Sequence, residues 1–226
     1  MGILRSLGIG RALDRPAIAR KLARMLLILH SKIYPMLGRF ASSAEGGLHP
    51  KHRLMNYHKF FVDNVAENDI VLDVGCGNGA LSYDIARKAR FVEAVEKEEK
   101  NIKICREKYS RENIKYVMAD INDYVTERKI SLIILSNVLE HIDDRRILLK
   151  RLGSISSRIF IRAPLITRDW IALYKKELGL QYMLDKSHKI EYTIEEFIRE
   201  IEEGGFEIQK YSVQFGEIWA AVVKKD

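Results

Sequence analysis

Small residues and carboxylates follow one hydrophobic segment in the first half of the chain. The stretch Val71–Ala80 runs from apolar residues into Gly75, Cys76, Gly77, Asn78 and Gly79. Glycines in such a turn permit positive φ angles and let a ligand approach backbone amides without interference from a Cβ atom. Because Gly75, Gly77 and Ala80 also satisfy the looser dinucleotide fingerprint, the loop alone leaves the ligand ambiguous.

Three carboxylates each lie at or near the end of an apolar, strand-like segment. Glu96 closes the next apolar segment about 20 residues after Gly75, where a carboxylate can accept hydrogen bonds from ribose hydroxyls. Asp73 precedes the first glycine by two residues, and Asp120 closes the third apolar segment. Each also has a simpler explanation, since Asp73 could cap the following turn and Asp120 could begin a turn or helix.

Alternating strand-like and helix-like segments must position these groups. The best strand candidates are residues 70–74, 91–95, 114–118, 132–135 and 158–161, followed by a closing pair at 206–211 and 218–223. Helices are predicted at residues 80–89, 97–110, 143–152 and 194–203. This alternation favours a mostly parallel sheet covered on both faces, with ligands bound beyond the carboxyl ends of its strands.

The chain also contains the sequence Ser-Asn-Val-Leu-Glu-His at residues 136–141, after the fourth predicted strand. In the combination of this sequence with Asp73, Glu96 and Asp120, the chain resembles the class I S-adenosylmethionine (SAM)-dependent methyltransferases. The resemblance is greatest to the small-molecule branch typified by ubiquinone-biosynthesis enzymes, and it covers about residues 50 to 223. It implies an α/β fold: a Rossmann-like, doubly wound, mostly parallel sheet with an antiparallel C-terminal strand pair and an N-terminal helical extension. It also implies SAM as cofactor and S-adenosylhomocysteine (SAH) as product.

The resemblance assigns cofactor contacts residue by residue. Asp73 would brace the loop or meet the amino group of the cofactor. The remaining residues of the implied cofactor site are Gly75, Cys76, Gly77 and Gly79 at the methionine portion, Glu96 with Lys97 at the ribose, Asp120 and Ile121 at the adenine, and Asn137.

The segment His49–His58 places cations and aromatic residues just before the core. In related methyltransferases a segment entering the core commonly meets the cofactor carboxylate, a task that suits arginine through bidentate hydrogen bonding. We therefore predict Arg53 for this contact, with Tyr57 next, against the alternative of a solvated helix start after Pro50.

The sequence identifies the residues of the acceptor site less clearly than those of the cofactor site. His141 follows the fourth strand and is the first candidate for a general base, although it could equally brace the following helix. Residues 165–192 form a long connector that we predict to be an acceptor-site lid insertion. Its substrate-site candidates are Trp170, Tyr174, Tyr182 and Asp185, and its second catalytic candidate is His188, which could instead be a surface residue before Thr193. His/Cys spacing suitable for zinc is absent, so no metal site is predicted.

The N-terminal residues 1–45 are predicted to form a basic amphipathic extension and linker, with the methyltransferase domain at 46–226. Apolar residues recur at helical spacing from Ile18 to Ile33, interleaved with Arg20, Lys21 and Arg24, and the helix is expected to stop near Pro35. Packing on the catalytic domain, a dimer contact and docking of residues 16–34 on an anionic membrane all remain open. Residues 42–47 are predicted to be the linker.

Composition narrows the functional class only modestly. The net charge of +7 would suit nucleic acid, anionic lipid or an acidic substrate. Nucleic acid is disfavoured because residues 136–139 lack the Asn/Asp-Pro-Pro-aromatic motif of many base-methylating enzymes. No uncharged apolar stretch of about 18 residues occurs, and two cysteines, one of them in the glycine loop, suggest a reducing, cytoplasmic setting, with peripheral membrane contact open. A small or lipid-linked acceptor is therefore expected; an RNA methyltransferase, an NAD-dependent oxidoreductase and a non-enzymatic scaffold are the alternatives.

Overall fold

A computed structural model describes residues 15–47 and 49–225; residues 1–14 of the predicted extension lie outside them. The elements follow the chain in the order α1 (Pro16–Ala44), α2 (Lys51–Met55), α3 (Tyr57–Asn64), β1 (Ile70–Val74), α4 (Ala80–Ala86), β2 (Phe91–Glu96), α5 (Glu99–Lys108), β3 (Ile114–Met118), β4 (Leu132–Ser136), α6 (Arg145–Ile155), β5 (Arg158–Pro164), α7 (Trp170–Glu177), α8 (Ile194–Glu203), β6 (Phe206–Gln214) and β7 (Glu217–Lys224). Short 3₁₀ turns occupy Leu139–His141 and Ile166–Arg168.

The strands form one seven-stranded sheet in the order β3-β2-β1-β4-β5-β7-β6. The first five strands of that order pair in parallel, whereas β7 pairs antiparallel with both β5 and β6. The predicted Rossmann-like fold, including its antiparallel C-terminal pair, is therefore confirmed. The chain adds β2 and β3 on one side of β1 and β4 and β5 on the other, so the gap between β1 and β4 is the switch point at which open α/β sheets bind ligands.

Apolar side chains cover both faces of this sheet. Leu72 and Val74 belong to one buried cluster, which α6 and α8 complete, while Val71 belongs to another, which α3 and α4 complete. Successive residues of a strand point to opposite faces, so a nearly continuous apolar run such as β1 requires cover on both sides. The core thus holds the strand ends, and the loops that follow them, in fixed positions.

The described chain divides into two compact units. One contains the described residues up to Leu54 together with Asp169–Tyr182, and the other contains Met55–Arg168 and Met183–Asp226 as far as they are described. Within the first unit, Arg24 Nη1 donates to the Leu178 carbonyl at 2.7 Å, and Lys175 Nζ lies 3.1 Å from His30 Nδ1. Helix α7 therefore packs with α1, while the whole sheet lies in the second unit.

Helix α1 is longer than predicted. It continues through Pro35 to Ala44, so the predicted stop near Pro35 is wrong, and the predicted linker from residue 42 is helical in its first three residues. Proline removes only one intrahelical hydrogen bond, and the bonds before and after it can maintain a long helix. The chain leaves the helix only at Glu45, before two glycines with positive φ.

Candidate functional site

The loop from Gly75 to Gly79 lies directly against the end of β2. The amides of Gly75 and Cys76 both donate to the Val95 carbonyl, at 2.8 and 3.1 Å. Gly75, Gly77 and Gly79 have φ angles of 65°, 55° and 84°. A Cβ atom built on Gly77 would meet no atom within 4 Å, so the space beside this residue is open to a ligand.

Glu96 fixes the loop through its carboxylate. Its Oε2 accepts from the Gly77 amide at 3.0 Å and its Oε1 accepts from the Glu98 amide at 2.9 Å. The side chain is buried at the strand end, and hydrogen bonds to a charged acceptor are among the stronger ones in proteins. Glu96 therefore contacts the glycine loop directly, while its contact with the ribose stays a prediction.

Asp73 lies beneath the same loop and is only 1% exposed. Its Oδ2 accepts from the Ser82 hydroxyl at 2.5 Å, which ties β1 to the first turn of α4. Burial raises the pKa of Asp73 to about 7; the Ser82 hydrogen bond opposes this shift and the nearby Glu96 charge adds to it. The structure thus displays the bracing role of Asp73, while its contact with a cofactor amino group stays a prediction.

Two thiols pack behind the loop. Cys76 and Cys105 are both buried and free, and the Cys105 thiol donates to the Gly77 carbonyl with a sulfur–oxygen distance of 3.3 Å. A Cβ atom on Gly79 would lie 2.8 Å from Cys105 Sγ and 3.0 Å from the Tyr116 hydroxyl. Glycine is therefore required at position 79 by both its left-handed backbone and its neighbours.

Asp120 and Ile121 lie after β3. The Ala119 amide donates to the Glu96 carbonyl at 3.1 Å, which brings this segment beside the end of β2. Asp120 is exposed and its Oδ1 accepts from the Asn122 amide at 2.8 Å, whereas Ile121 is 8% exposed and joins the core. Lys97 is exposed. The adenine and ribose roles of these residues stay predictions.

After β4 the chain turns sharply at Asn137. This residue adopts a φ of 57°, its amide donates to the Arg162 carbonyl at 2.8 Å, and the next residue, Val138, lies against Gly75. Among the described residues, the buried Asn137 Oδ1 has no hydrogen-bond partner. A left-handed, non-glycine residue with an unsatisfied oxygen is typical of a ligand-contacting turn.

Glu140 is fully buried in the 3₁₀ turn that follows. Both of its carboxylate oxygens lack a partner in hydrogen-bond geometry among the described residues. Burial raises the pKa of Glu140 to about 7; its own backbone amide, the His188 charge, the Asn137 side-chain amide and the Arg162 charge, in decreasing order, offset part of the shift. The backbone carbonyl of Glu140 accepts from the Lys189 amide at 2.6 Å, which brings the segment around His188 to this turn.

His141 and His188 meet at this point. Their rings are 4.8 Å apart in an edge-to-face arrangement. Ser187 Oγ lies 3.0 Å from His141 Nδ1 and donates to Asp185 Oδ1 at 2.7 Å. His188 Nδ1 lies 3.0 Å from the buried Glu191 carboxylate. The two predicted catalytic histidines are therefore neighbours, and Asp185 contacts the pair through Ser187.

Electrostatics differ between these groups. Burial, followed by the His188 charge, lowers the pKa of His141. Hydrogen bonds from the Ser187 amide and hydroxyl lower the pKa of Asp185. His141 is thus biased toward its neutral form, whereas Asp185, which contacts it through Ser187, is biased toward its charged form.

The remaining predicted site residues belong to the first unit. Arg53 donates to Glu45 at 2.6 Å through an exposed side chain. Trp170 and Tyr174 lie 6.1 Å apart on α7, and the Lys176 ammonium approaches the Tyr182 ring at 5.6 Å. Their roles at the cofactor carboxylate and the acceptor stay predictions.

Sequence reasoning missed a buried network under the ends of β4 and β5. Arg162 makes a bidentate ion pair with Glu217 of β7, and its guanidinium lies 3.7 Å from the Tyr57 ring centroid. Burial raises the pKa of Tyr57, Arg162 opposes the shift, and the Glu217 and Asp73 charges add to it, so the network interacts with the carboxylate beneath the glycine loop. A lone arginine within the apolar run of β5 was the available signal, since buried charges require partners.

Comparison with known sequences gives a family match over part of the chain. Residues 71–155 match the family described as "Methyltransferase domain". The chain is 36% identical over 67 residues to the "Probable cobalt-precorrin-6B C(15)-methyltransferase (decarboxylating)" of Methanococcus maripaludis, covering 28% of this chain and 37% of that protein. It is 27% identical over 135 residues to the ubiquinone biosynthesis O-methyltransferase of Coxiella burnetii, covering 57% of each. The chain thus spans roughly a third to just over half of the length of these two relatives.

Solved structures extend the likeness to most of the chain. Magnesium protoporphyrin IX methyltransferase from Synechocystis, solved with bound SAH, superposes with a TM-score of 0.61 at 18% identity, covering 77% of this chain and 83% of that one. A S-adenosylmethionine-dependent methyltransferase from Clostridium acetobutylicum gives a TM-score of 0.58 at 14% identity, covering 86% and 100%. At such identities the likeness establishes the fold, and it agrees with the fold expected from the sequence.

Proposed function

We propose that the chain transfers a methyl group from SAM to a small-molecule acceptor, because residues 71–155 match the methyltransferase-domain family and the fold is that of solved SAM-dependent methyltransferases. The observation that carries the proposal is the convergence of Asp73, Glu96 and Val138, the residue after Asn137, around the glycine loop. Sheet topology supports methyl transfer over hydride transfer, because dinucleotide-binding folds usually continue as parallel strands in the order 3-2-1-4-5-6. Here an antiparallel β7 stands between β5 and β6.

Two local features suit an adenosyl ligand. The space beside Gly77 is open, and the Asn137 Oδ1 is buried without a partner among the described residues. Glu96 already accepts two amide hydrogens, but a carboxylate has about four lone-pair sites, which leaves capacity for the ribose hydroxyls. We assign the adenine to Asp120 and Ile121, following the resemblance of the strand ends.

The cofactor supplies a methyl group that is already activated by its positive sulfur. The protein's part is then largely positional: to hold the acceptor in line with the breaking bond and to exclude water. In an in-line displacement, an acceptor lone pair forms the bond to the methyl carbon as the carbon–sulfur pair leaves to sulfur. We place the acceptor against the His141 and His188 pair, where the chain presents imidazole nitrogens and the Ser187–Asp185 relay.

The acceptor class follows from the relatives and from the motif after β4. The relatives named above act, by their names, on a cobalt-precorrin, on a ubiquinone-pathway molecule and on a magnesium protoporphyrin. Residues 136–139 are Ser-Asn-Val-Leu, without the aromatic motif that grips a flipped base. We therefore propose a small or lipid-linked organic acceptor methylated on oxygen or carbon.

Helix α1 supports the lipid-linked variant of this proposal. Met25, Leu26, Leu29 and Ile33 are about half exposed, from 48% to 58%. The same helix carries exposed cations at Arg20, Lys21 and Lys32. A basic helix with an exposed apolar stripe is suited to lie in the interface of an anionic membrane. In the described residues no helix is both long and apolar enough to cross a bilayer.

The membrane contact is tested by vesicle pelleting of the full chain. Leu29→Glu with Ile33→Glu should sharply reduce pelleting with vesicles containing phosphatidylserine. Val125→Glu is the matched control, because Val125 is 80% exposed outside this helix. Equal pelleting of the double variant and the unmodified chain would contradict the contact.

The cofactor assignment is tested by calorimetric titration. We expect SAH to bind and NADH not to bind. Gly77→Arg should abolish SAH binding while helix content by circular dichroism stays unchanged, because the added side chain enters the open space beside the loop. Gly46→Arg is the matched control, since Gly46 also has a positive φ and open surroundings but lies outside the loop. SAH affinity that survives Gly77→Arg would overturn the assignment.

The acceptor is identified by transfer of a tritiated methyl group. Incubation of the chain with labelled SAM and fractionated lipid, small-molecule, RNA and protein extracts should label the lipid or small-molecule fraction. Label appearing only in RNA would replace the proposed acceptor class with nucleic acid. The Gly77→Arg variant supplies the background for each fraction.

A further inference from the structure

Three side chains that the cofactor does not use converge beyond β4. Glu140, His141 and His188 each offer a ligand atom, and these atoms all lie within 4.8 Å of one another. We propose that this trio binds one divalent transition-metal cation at the acceptor side of the site. No such site is evident from the sequence, because its ligands come from two segments that the fold brings together.

The buried carboxylate is the first argument. Glu140 is fully buried, and among the described residues neither of its oxygens has a hydrogen-bond partner. An unpaired buried carboxylate is costly, so such groups are normally paired with a cation or coordinate a metal. The backbone of its turn is held by the Lys189 amide, which donates to the Glu140 carbonyl and not to its carboxylate.

The hydrogen bonds of the two histidines are the second argument. His188 Nδ1 faces the Glu191 carboxylate, which is fully buried and also pairs with Arg168. His141 Nδ1 faces Ser187 Oγ, whose hydrogen is directed to Asp185. Both Nδ1 atoms are therefore donors, which leaves each Nε2 with a free lone pair. Outer carboxylates that orient a histidine in this way are typical of metal ligands.

The donor set indicates the class of cation. Two imidazole nitrogens and one carboxylate oxygen suit borderline cations such as Zn²⁺, Fe²⁺ or Co²⁺, whereas Mg²⁺ and Ca²⁺ prefer oxygen ligands throughout. Three protein ligands also leave coordination positions open for an exogenous oxygen. A free general base would account for one histidine, but it would not account for the second histidine and the unpaired Glu140.

The role of the cation, unlike its binding, rests on the proposed methyl transfer. An acceptor hydroxyl bound at an open position would lose its proton to water more readily, because the cation stabilises the resulting oxyanion. That oxygen would then form the bond to the methyl carbon while the electron pair of the broken carbon–sulfur bond passes to sulfur. No oxidant or reductant takes part.

Metal binding is tested on the full, tag-free chain after treatment with a chelator. Titration with Co²⁺, followed by its visible absorption bands, should give one site per chain with histidine-type coordination, and Zn²⁺ should displace it. Zn²⁺ should also raise the midpoint of thermal unfolding. Absence of a saturable Co²⁺ spectrum would overturn the proposal.

Variants locate the site. Glu140→Gln and His188→Gln should each weaken Co²⁺ binding by at least tenfold and remove the Zn²⁺-dependent rise in the unfolding midpoint. Ser187→Ala should weaken binding less, since it removes only the orientation of His141. His30→Gln is the control, because it deletes an imidazole on α1 and should leave binding unchanged. Unweakened Co²⁺ affinity in both Glu140→Gln and His188→Gln would place the cation elsewhere and refute the site.

Failure of this proposal can be separated from failure of the proposed function. SAH titration reports the cofactor site, and Co²⁺ absorption reports the trio without any methyl transfer. Retained SAH binding together with no Co²⁺ spectrum overturns the metal site alone. A Co²⁺ spectrum lost in Glu140→Gln, in a chain that does not bind SAH, supports the metal site and contradicts methyl transfer.

Discussion

Two regions at the same edge of the sheet differ in whether their polar side chains are hydrogen-bonded within the protein. On the cofactor side, which comprises the Gly75–Gly79 loop with Asp73 and Glu96, the carboxylates are bonded within the protein. On the acceptor side, which comprises Glu140, His141 and His188, both buried carboxylate oxygens of Glu140 lack partners among the described residues. The first region is held in shape by its own hydrogen bonds, whereas the second keeps unsatisfied groups in a fixed position.

This difference separates groups that hold the site in shape from groups that are available to bind a ligand. Hydrogen bonds that Glu96 and Asp73 make with the protein define the loop before any ligand arrives, so substitutions there should affect stability and SAH binding together. Among the described residues, no group donates to the Glu140 carboxylate in full hydrogen-bond geometry. Substitutions of Glu140 should therefore spare stability and affect only what binds beside it.

The largest expected effect is that of Gly79→Ala on the cofactor side. The alanine would have to adopt a φ of 84° and place its Cβ 2.8 Å from Cys105 Sγ. Left-handed strain costs about 1–2 kcal/mol and overpacking about 1–3 kcal/mol, so the free energy of unfolding should fall by about 2–5 kcal/mol. Urea denaturation measures this loss, and SAH titration should show weaker binding.

Gly179→Ala isolates the overpacking part of that loss. Gly179 has a φ of 64°, but a Cβ atom there would meet nothing within 4 Å. Its substitution should therefore cost only the left-handed strain, about 1–2 kcal/mol. Equal losses for the two variants would mean that Cys105 and Tyr116 yield without cost, and that the loop is less tightly held than the contacts indicate.

The next effect is expected from Glu96→Gln. A glutamine offers one acceptor oxygen and turns an amide NH₂ group toward a backbone donor, so the Gly77 or the Glu98 amide loses its partner. The free energy of unfolding should fall by about 1–3 kcal/mol, and SAH affinity should fall with it. Glu99→Gln, on the exposed first turn of α5, is the control for loss of charge. Unchanged stability would show that the carboxylate does not hold the loop.

A pH-dependent effect is expected from Asp73→Asn. Because burial raises the pKa of Asp73 from 3.8 to about 7, its contribution to stability is complete below pH 3.8 and is lost as the pH rises through about 7. The unmodified chain should therefore lose more stability between pH 5.5 and pH 8.5 than Asp73→Asn does. Urea denaturation of both proteins at the two pH values gives the difference, from which groups common to both cancel. A difference of zero would mean that Asp73 titrates normally.

The contrast also explains which parts could be read from the sequence. The seven strands and the cofactor side follow from local signals: apolar runs, glycines that need positive φ, and carboxylates one residue from a strand end. Asp73, Glu96 and the glycine loop were found in this way, because each is placed by the strand that precedes it. The predicted end of α1 failed, since proline disfavours a helix interior without forbidding it.

The acceptor side could be predicted only in fragments. His141 and His188 were each predicted as catalytic candidates, but their contact depends on the path of the chain between β5 and α8, which no periodicity encodes. Glu191 and Ser187, which orient the histidines, gave no signal of their own. Arg162 and Glu217 pair across β5 and β7, and the strands that carry them become neighbours only when the sheet is assembled.

The smallest change in stability is expected from Glu140→Gln, and it is the sharpest test of the contrast because the same substitution is destabilising at Glu96. Glutamine keeps the size of the side chain and removes a carboxylate to which no described residue donates in full hydrogen-bond geometry. Burying an amide costs less than burying a charge, so stability in the presence of a chelator should be unchanged or slightly higher in urea denaturation at pH 8. A loss as large as that of Glu96→Gln would mean that the Glu140 carboxylate is hydrogen-bonded within the protein. The contrast between bonded carboxylates on the cofactor side and an unpaired one on the acceptor side would then be wrong.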